Sequence, residues 1–73
     1  MAEHYNKGEI EAIEFIEQTV RHYDPADAYL VGNIIKYLNR APHKGSMMSD
    51  LEKAEDYMYR LIHGVWKGEV KNE

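Results

Sequence analysis

The chain has 73 residues, a formal net charge of −4 and no cysteine. This length allows one domain, and without cysteine neither a disulfide nor a thiolate metal site can stabilise it. General binding to duplex DNA requires a basic surface, so the net negative charge argues against that function.

The sequence also lacks the features of membrane and secreted proteins. No stretch approaches the roughly 18 apolar residues that a membrane span requires. Five acidic residues among the first 20 positions exclude a secretory signal. We therefore expect a cytoplasmic protein with no membrane partner.

The first predicted helix spans residues 7–23. Asn6 and Glu9 have the spacing of a capping box at its start. Its apolar stripe recurs with the period of a helix and consists of Ile13, Ile16, Val20 and Tyr23. Phe15 lies off this stripe, which indicates a second contact surface.

The second predicted helix spans residues 25–41, with Asp24 as its N-cap and Pro25 in its first turn. Its predicted core face consists of Leu30, Val31, Ile34, Ile35 and Leu38. Gly32 lies in the middle of this helix, where glycine is unfavourable. A glycine here indicates close approach by another helix or by a ligand.

The third predicted helix spans residues 49–63 and begins with a capping box formed by Ser49 and Glu52. Its predicted apolar stripe consists of Leu51, Ala54, Met58, Leu61, Ile62 and Val65. Gly64 and Gly68 weaken the helix beyond this point. We therefore expect residues 66–73 to be a frayed tail, unless Trp66 docks on a partner chain.

These elements predict an all-α fold, a compact three-helix domain. So small a core gives marginal stability, and the aromatic side chains of Phe15 and Trp66 lie off the main stripes. We therefore expect a homo-oligomer that buries further apolar surface.

Two polar stripes are the candidate functional residues. They are Asn33, Lys36, Tyr37 and Arg40 on the second helix, and Lys53, Tyr57 and Arg60 on the third. Lysine and arginine suit phosphate, and tyrosine can stack on a base. If the stripes converge, they form a nucleotide pocket in which an exposed Arg40 meets phosphate and contributes little to folding. Otherwise they are solvated faces, neutralised by Glu52, Glu55 and Asp56.

Metal and catalytic signatures are weak. The four histidines are never three or four positions apart, which argues against a zinc site. The glutamates of the first helix could hold Mg²⁺ if two of them faced inward, or they form a solvated acidic face near a helix N-terminus. No glycine-rich phosphate loop is present.

Several segments carry a family resemblance. They are His4-Tyr5, Gly8, Ile10-Glu11, Ile13, Ile16, Gly32-Asn33, Ile35 to Leu38, Arg40, Lys44, Asp50-Leu51, Lys53-Ala54, Tyr57 and Arg60-Leu61. In these residues the chain resembles a family of small phage-encoded helical proteins described as a domain of unknown function or as nucleotide kinases. Asn39, where the family has a large aromatic residue, and Pro42-His43 depart from its pattern.

The resemblance implies a phage protein that handles nucleotides in the infected host cell. A deoxynucleoside monophosphate kinase is the first hypothesis. It requires an oligomer with sites at subunit boundaries, and Mg²⁺ is its candidate cofactor. A non-catalytic binder that sequesters a nucleotide signal of host defence is the second. A protein–protein effector that inhibits a host factor is the third. Nucleotide binding separates the first two from the third, and turnover separates the first from the second.

Overall fold

The computed structural model describes residues 11–43 and 45–69. It contains three α-helices, α1 (Ala12–Val20), α2 (Pro25–Arg40) and α3 (Met47–His63), with a short 3₁₀ helix at Ala41–His43 between α2 and α3. No strand occurs in these ranges, so the prediction of an all-α, compact three-helix domain is confirmed. None of the described helices combines the length and the hydropathy that crossing a bilayer requires.

α2 is the central helix of the fold. Tyr29, Tyr37 and Arg40 of α2 contact α3, whereas α1 packs against α2 and, within the described residues, does not reach α3. A Cβ atom built on Gly32 would lie 3.3 Å from Cγ2 of Ile16 in α1. Gly32 therefore allows a close helix crossing, the first of its two predicted roles.

The buried apolar residues lie mainly along α2. They are Leu30, Val31, Ile34, Ala41 and, on α3, Ala54. The predicted core face of α2 is confirmed for Leu30, Val31 and Ile34 but wrong for Leu38, which is 50% exposed. Leu38 lies about 60° around the helix from the row of Leu30, Ile34 and Ala41. Val31 lies slightly further around in the same direction and is buried, because it is next to Gly32, where α1 approaches α2; Leu38 lies beyond that crossing.

The predicted apolar stripes of α1 and α3 are also wrong in part. On α3, Met58 and Ile62 are exposed, and Asp50 is buried with Ala54 instead. On α1, Ile13 and Tyr23 are exposed. A helix that contacts one neighbour can bury only a narrow strip of its surface, and hydrophobic periodicity alone overestimated that strip.

α1 is shorter than predicted at both ends. Glu11 has extended backbone geometry (ψ 145°), so the helix begins at Ala12. It ends at Val20, whose carbonyl accepts a hydrogen bond from the backbone N–H of Tyr23 (2.9 Å) in the following turn. The predicted capping box of Asn6 and Glu9 lies outside the described residues.

α2 begins at Pro25 as predicted and ends at Arg40, one residue early, where the 3₁₀ helix begins. Asp24 occupies the N-cap position but makes no capping hydrogen bond with its side chain. α3 begins at Met47 after Ser46, so the capping box predicted at Ser49 is wrong. The earlier start places Asp50 inside the first turns of α3, where it meets α2.

The chain reverses direction after α3. Gly64 adopts a left-handed conformation (φ 81°), and its N–H donates to the carbonyl of Arg60 (2.9 Å), a common way to end a helix. Trp66 and Glu69 then close a turn, because the Trp66 N–H donates to Oε1 of Glu69 and the Glu69 N–H donates to the Trp66 carbonyl, both at 2.9 Å. The predicted fraying is therefore wrong for residues 66–69; residues 70–73 lie outside the described ranges.

Candidate functional site

The two polar stripes meet at one side of the α2–α3 pair. The ring of Tyr37 stacks on that of Tyr57 with centroids 5.8 Å apart and an interplanar angle of 24°. Tyr29 and Trp66 contact the same Tyr57 ring edge-on, at 6.3 and 5.4 Å. These four rings, Tyr29, Tyr37, Tyr57 and Trp66, form what we call the aromatic face.

Cations surround the aromatic face. Nζ of Lys36 lies 4.5 Å from the centroid of the Tyr37 ring, and Nζ of Lys53 lies 5.6 Å from it. The guanidinium carbon of Arg60 lies 5.5 Å from the Trp66 ring. Cations within about 6 Å of a ring are attracted by its electron-rich face. The rings therefore hold positive charge close to a surface on which a base could stack.

Arg40 has a different partner from the one the sequence predicts. Its Nε and a terminal nitrogen donate to the two carboxylate oxygens of Asp50, at 3.2 and 2.9 Å. Asp50 is only 1% exposed. Its hydrogen bond to the guanidinium is the main cause that raises the pKa of Arg40, against the opposing effect of burial. Arg40 thus supports the α2–α3 contact, while its side chain is still 38% exposed. That Arg40 meets phosphate and contributes little to folding stays a prediction.

Asn33 and Arg60 also have partners in their own helices. Nδ2 of Asn33 donates to the backbone carbonyl of Tyr29 (2.8 Å). The guanidinium of Arg60 donates to the carbonyl of Gly64, at the point where the chain reverses. Of the seven predicted site residues, the structure therefore brings five together at Tyr37 and Tyr57, since Arg40 also lies over the Tyr37 ring, 5.1 Å from its centroid; the five are Lys36, Tyr37, Arg40, Lys53 and Tyr57. A nucleotide contact by any of the seven stays a prediction.

A cleft of about 360 Å³ opens at one end of the aromatic face. It is lined by Lys53, Asp56, Tyr57, Trp66, Lys67 and Gly68. Lys53 and Tyr57 are predicted site residues, whereas Trp66 and Lys67 were missed because two glycines suggested a frayed tail. The left-handed Gly64 is the signal that could have found them, since a glycine just past a helix often turns the chain back over it.

A second cleft of about 290 Å³ lies beside the first. Its lining consists of Ala26, Tyr29, Leu30, Arg60 and Trp66. Trp66 lines both clefts, so one indole ring borders two concave surfaces, each of which also contains a tyrosine and a cation.

Tyr57 connects the two helices and borders the larger cleft. Burial is the main cause that raises its pKa, and a hydrogen bond with Tyr29 acts in the same direction. The phenol therefore stays protonated at neutral pH and offers a neutral, polar edge beside the lysines.

A family model describing proteins of unknown function, DUF3310, matches residues 1–59. The chain belongs to the DUF3310 family. No curated protein and no solved structure matches the sequence significantly. The family description names no activity.

The DUF3310 match covers only some of the residues that line the larger cleft. Lys53, Asp56 and Tyr57 lie inside the matched region, whereas Trp66, Lys67 and Gly68 lie beyond its end. Within the described ranges, no group of three or more histidine, aspartate or glutamate side chains is arranged to hold a metal ion. What the DUF3310 chain presents there is an aromatic pair with two lysines and one carboxylate.

Proposed function

We propose that this protein binds a nucleoside phosphate in the cleft that Tyr57 and Trp66 line together with Lys53 and Lys67. The observation that carries the proposal is the edge-to-face pair of these rings in one cleft with Lys53 and Lys67. A base stacks on an exposed ring whatever its identity. Lysine ammonium groups supply the compact positive charge that phosphate requires.

The dimensions and charges of the cleft favour a small ligand. Its volume of about 360 Å³ is near the lower end of the range for small-molecule sites, which suits one nucleotide better than an oligonucleotide. The net charge of the chain is −4, so attraction of an anion must be local. Asp56 would repel a bare phosphate, and we therefore assign it to the sugar hydroxyls, with the phosphates toward Lys53 and Lys67.

The finer proposal is that the protein phosphorylates a deoxynucleoside monophosphate in the cytoplasm of an infected cell. Its support is the resemblance of residues 32–40 and 50–54 to phage nucleotide kinases, together with the second cleft, which offers Tyr29 and Arg60 to a second nucleotide. Phosphoryl transfer depends mainly on positioning and charge neutralisation. Mg²⁺ would enter with the phosphates of the donor.

The alternative is a binder that sequesters a nucleotide without turnover. It is supported by the position of Trp66 and Lys67 in a turn beyond α3. In that position they can hold a nucleotide by base stacking and charge alone. Turnover separates the two functions. Incubation with ATP, each deoxynucleoside monophosphate and Mg²⁺, followed by chromatography, gives a diphosphate product if the protein is a kinase and unchanged nucleotide if it is a binder.

Binding itself can be measured through the single tryptophan. Trp66 is the only tryptophan of the chain and lines the cleft, so a stacked base should quench its fluorescence. We expect Lys53→Ala and Lys67→Ala each to weaken nucleotide binding about 10- to 100-fold, the effect of losing a hydrogen bond to a charged group. Arg21→Ala, an exposed cation in the turn after α1, is the matched control and should leave the affinity unchanged.

Two results would contradict the assignment. Absence of binding to any nucleoside mono-, di- or triphosphate at millimolar concentration would overturn nucleotide binding itself. Loss of binding in Lys36→Ala, with full affinity in Lys53→Ala and Lys67→Ala, would place the ligand over Tyr37 instead of in the cleft.

A further inference from the structure

The second side of the α2–α3 pair is apolar. At about 100° per residue, Leu38 of α2 lies to one side of the buried row, and Tyr37 and Arg40 lie to the other. On α3, the row of Asp50 and Ala54 likewise separates two sides. One carries Lys53, Tyr57 and Arg60, and the other carries Met47, Met58 and Ile62.

The two apolar sides coincide in space. Tyr37 stacks on Tyr57 across the helix pair, so the sides that carry these tyrosines are one surface. Leu38 must then share the opposite surface with the three apolar residues of α3. We call this surface, formed by Leu38, Met47, Met58 and Ile62, the apolar face; its members are 41–66% exposed.

We infer that the apolar face is covered by the same face of a second copy of this chain. Its four side chains present roughly 400 Å², about half of the ~800 Å² that each partner buries in a stable complex. Non-polar atoms normally supply somewhat more than half of such an interface. The apolar face is therefore large enough to be the centre of a two-fold contact.

The charge distribution permits a second copy at this face. Each chain carries a net charge of −4, so two copies can approach only through a surface without like charge at its centre. The apolar face meets this condition, because none of its four residues ionises. Glu55 lies about 20° beyond Ile62 around α3, and Asp27 lies on the same side of α2 as Leu38 but about three turns away, near the start of the helix. Both acids therefore fall toward the edge of the face, where an interface is normally polar.

The small core gives a second reason. Only five apolar residues of the described chain are buried, which is little for a domain of this length. Two identical faces that cover each other would bury apolar surface that the single chain leaves exposed. Since the aromatic face lies on the opposite surface, the two clefts described above stay open in the dimer. The inference therefore does not depend on the proposed function.

Sedimentation or light scattering on a pair of isoleucine variants tests the inference. We expect the unmodified protein to be a dimer at 10–100 µM, an order-of-magnitude range for a stable contact of this size. Ile62→Asp should raise the dissociation constant of the dimer about 100-fold or more, because it buries a charge without a partner. Ile13→Asp is the matched control, since Ile13 is 59% exposed on α1, and it should leave the dimer intact.

A cross-linking experiment does not depend on the folding of an aspartate variant. The chain has no cysteine, so single cysteines can be introduced at Leu38, Met58 and Ile62 in turn. Mild oxidation should give a disulfide-linked dimer for at least one of them and none for Ile13→Cys. A monomeric protein at 100 µM, equal effects of Ile62→Asp and Ile13→Asp, or cross-linking no better than that of Ile13→Cys would each overturn the inference. A monomeric protein at 100 µM would mean that the apolar face binds a partner other than a second copy of this chain.

Discussion

The two faces of the α2–α3 pair are built on the same helices but satisfy their side chains in different ways. On the aromatic face, rings lie 5.4–6.3 Å from the Tyr57 ring and cations lie over the rings of Tyr37 and Trp66. On the apolar face, side chains are about half exposed and cannot make such polar pairs. The comparison shows that an aromatic and cationic surface can satisfy its side chains within one chain, whereas an apolar surface is stabilised only when something covers it.

The contact of Arg40 with Asp50 joins α2 and α3 next to Tyr37 of the aromatic face, and breaking it should have the largest effect on stability. Arg40→Ala removes the guanidinium that faces a buried carboxylate, a change that is strongly destabilising when the charge remains inside. We expect a loss in the free energy of unfolding at least as large as that of a buried leucine, measured by urea denaturation.

The double variant Arg40→Met with Asp50→Leu sharpens this test. Replacing a buried ion pair by apolar side chains of similar size is often neutral or stabilising, so stability should recover. If Arg40→Ala unfolds like the unmodified protein, the pair is a surface contact and the division between the two faces loses its structural basis.

A matched pair of leucines tests where the core ends and the apolar face begins. Leu30→Ala should cost about 2–5 kcal/mol, as for a buried leucine, because Leu30 is 8% exposed. Leu38→Ala should cost about 1 kcal/mol or less in the monomer, typical of a partly exposed site, and should weaken the dimer instead. Equal losses in dilute solution would show that Leu38 belongs to the core.

The smallest expected effect concerns the aromatic face and pH. Burial, and then the hydrogen bond with Tyr29, raise the pKa of Tyr57 above its ordinary 10.0 in the folded protein. The unfolded chain therefore loses this proton first, and the stability provided by the neutral phenol declines as the pH rises above 10.

The free energy of unfolding, followed by circular dichroism between pH 8 and about 11, should decline less steeply in Tyr57→Phe than in the unmodified protein. Tyr23→Phe, in the exposed turn after α1, is the control and should keep the original slope. The same slope in all three proteins would mean that Tyr57 is not protected by its neighbours.

The helix spans were largely predictable because their signals are local. Pro25 fixes the start of α2, and Gly64 fixes the end of α3 through its own backbone geometry. Which side of α3 is buried was not predictable, because Met58 and Ile62 are more hydrophobic than Asp50. Asp50 is buried because Arg40 of another helix meets it, and hydrophobic periodicity does not encode which acid meets which base.

The candidate site was predictable in part for the same reason. Helical spacing placed Tyr37 and Tyr57 on polar stripes, and the structure brings those stripes together. The sequence did not predict that Trp66 lines a cleft of its own chain, because the position of Trp66 depends on a reversal of the backbone. A residue beyond a helix end can be placed only once the direction of the following chain is known.

The reversal at Gly64 separates the three packed helices from a short turn that closes on itself. The family match ends at residue 59, and the turn of Trp66 to Glu69 holds itself closed through its own hydrogen bonds. Substitutions in this turn can alter one wall of the cleft without disturbing the contacts among the three helices. In this chain, therefore, the shape of one end of the cleft depends on a short turn that follows α3 and not on the packing of α3 against α2.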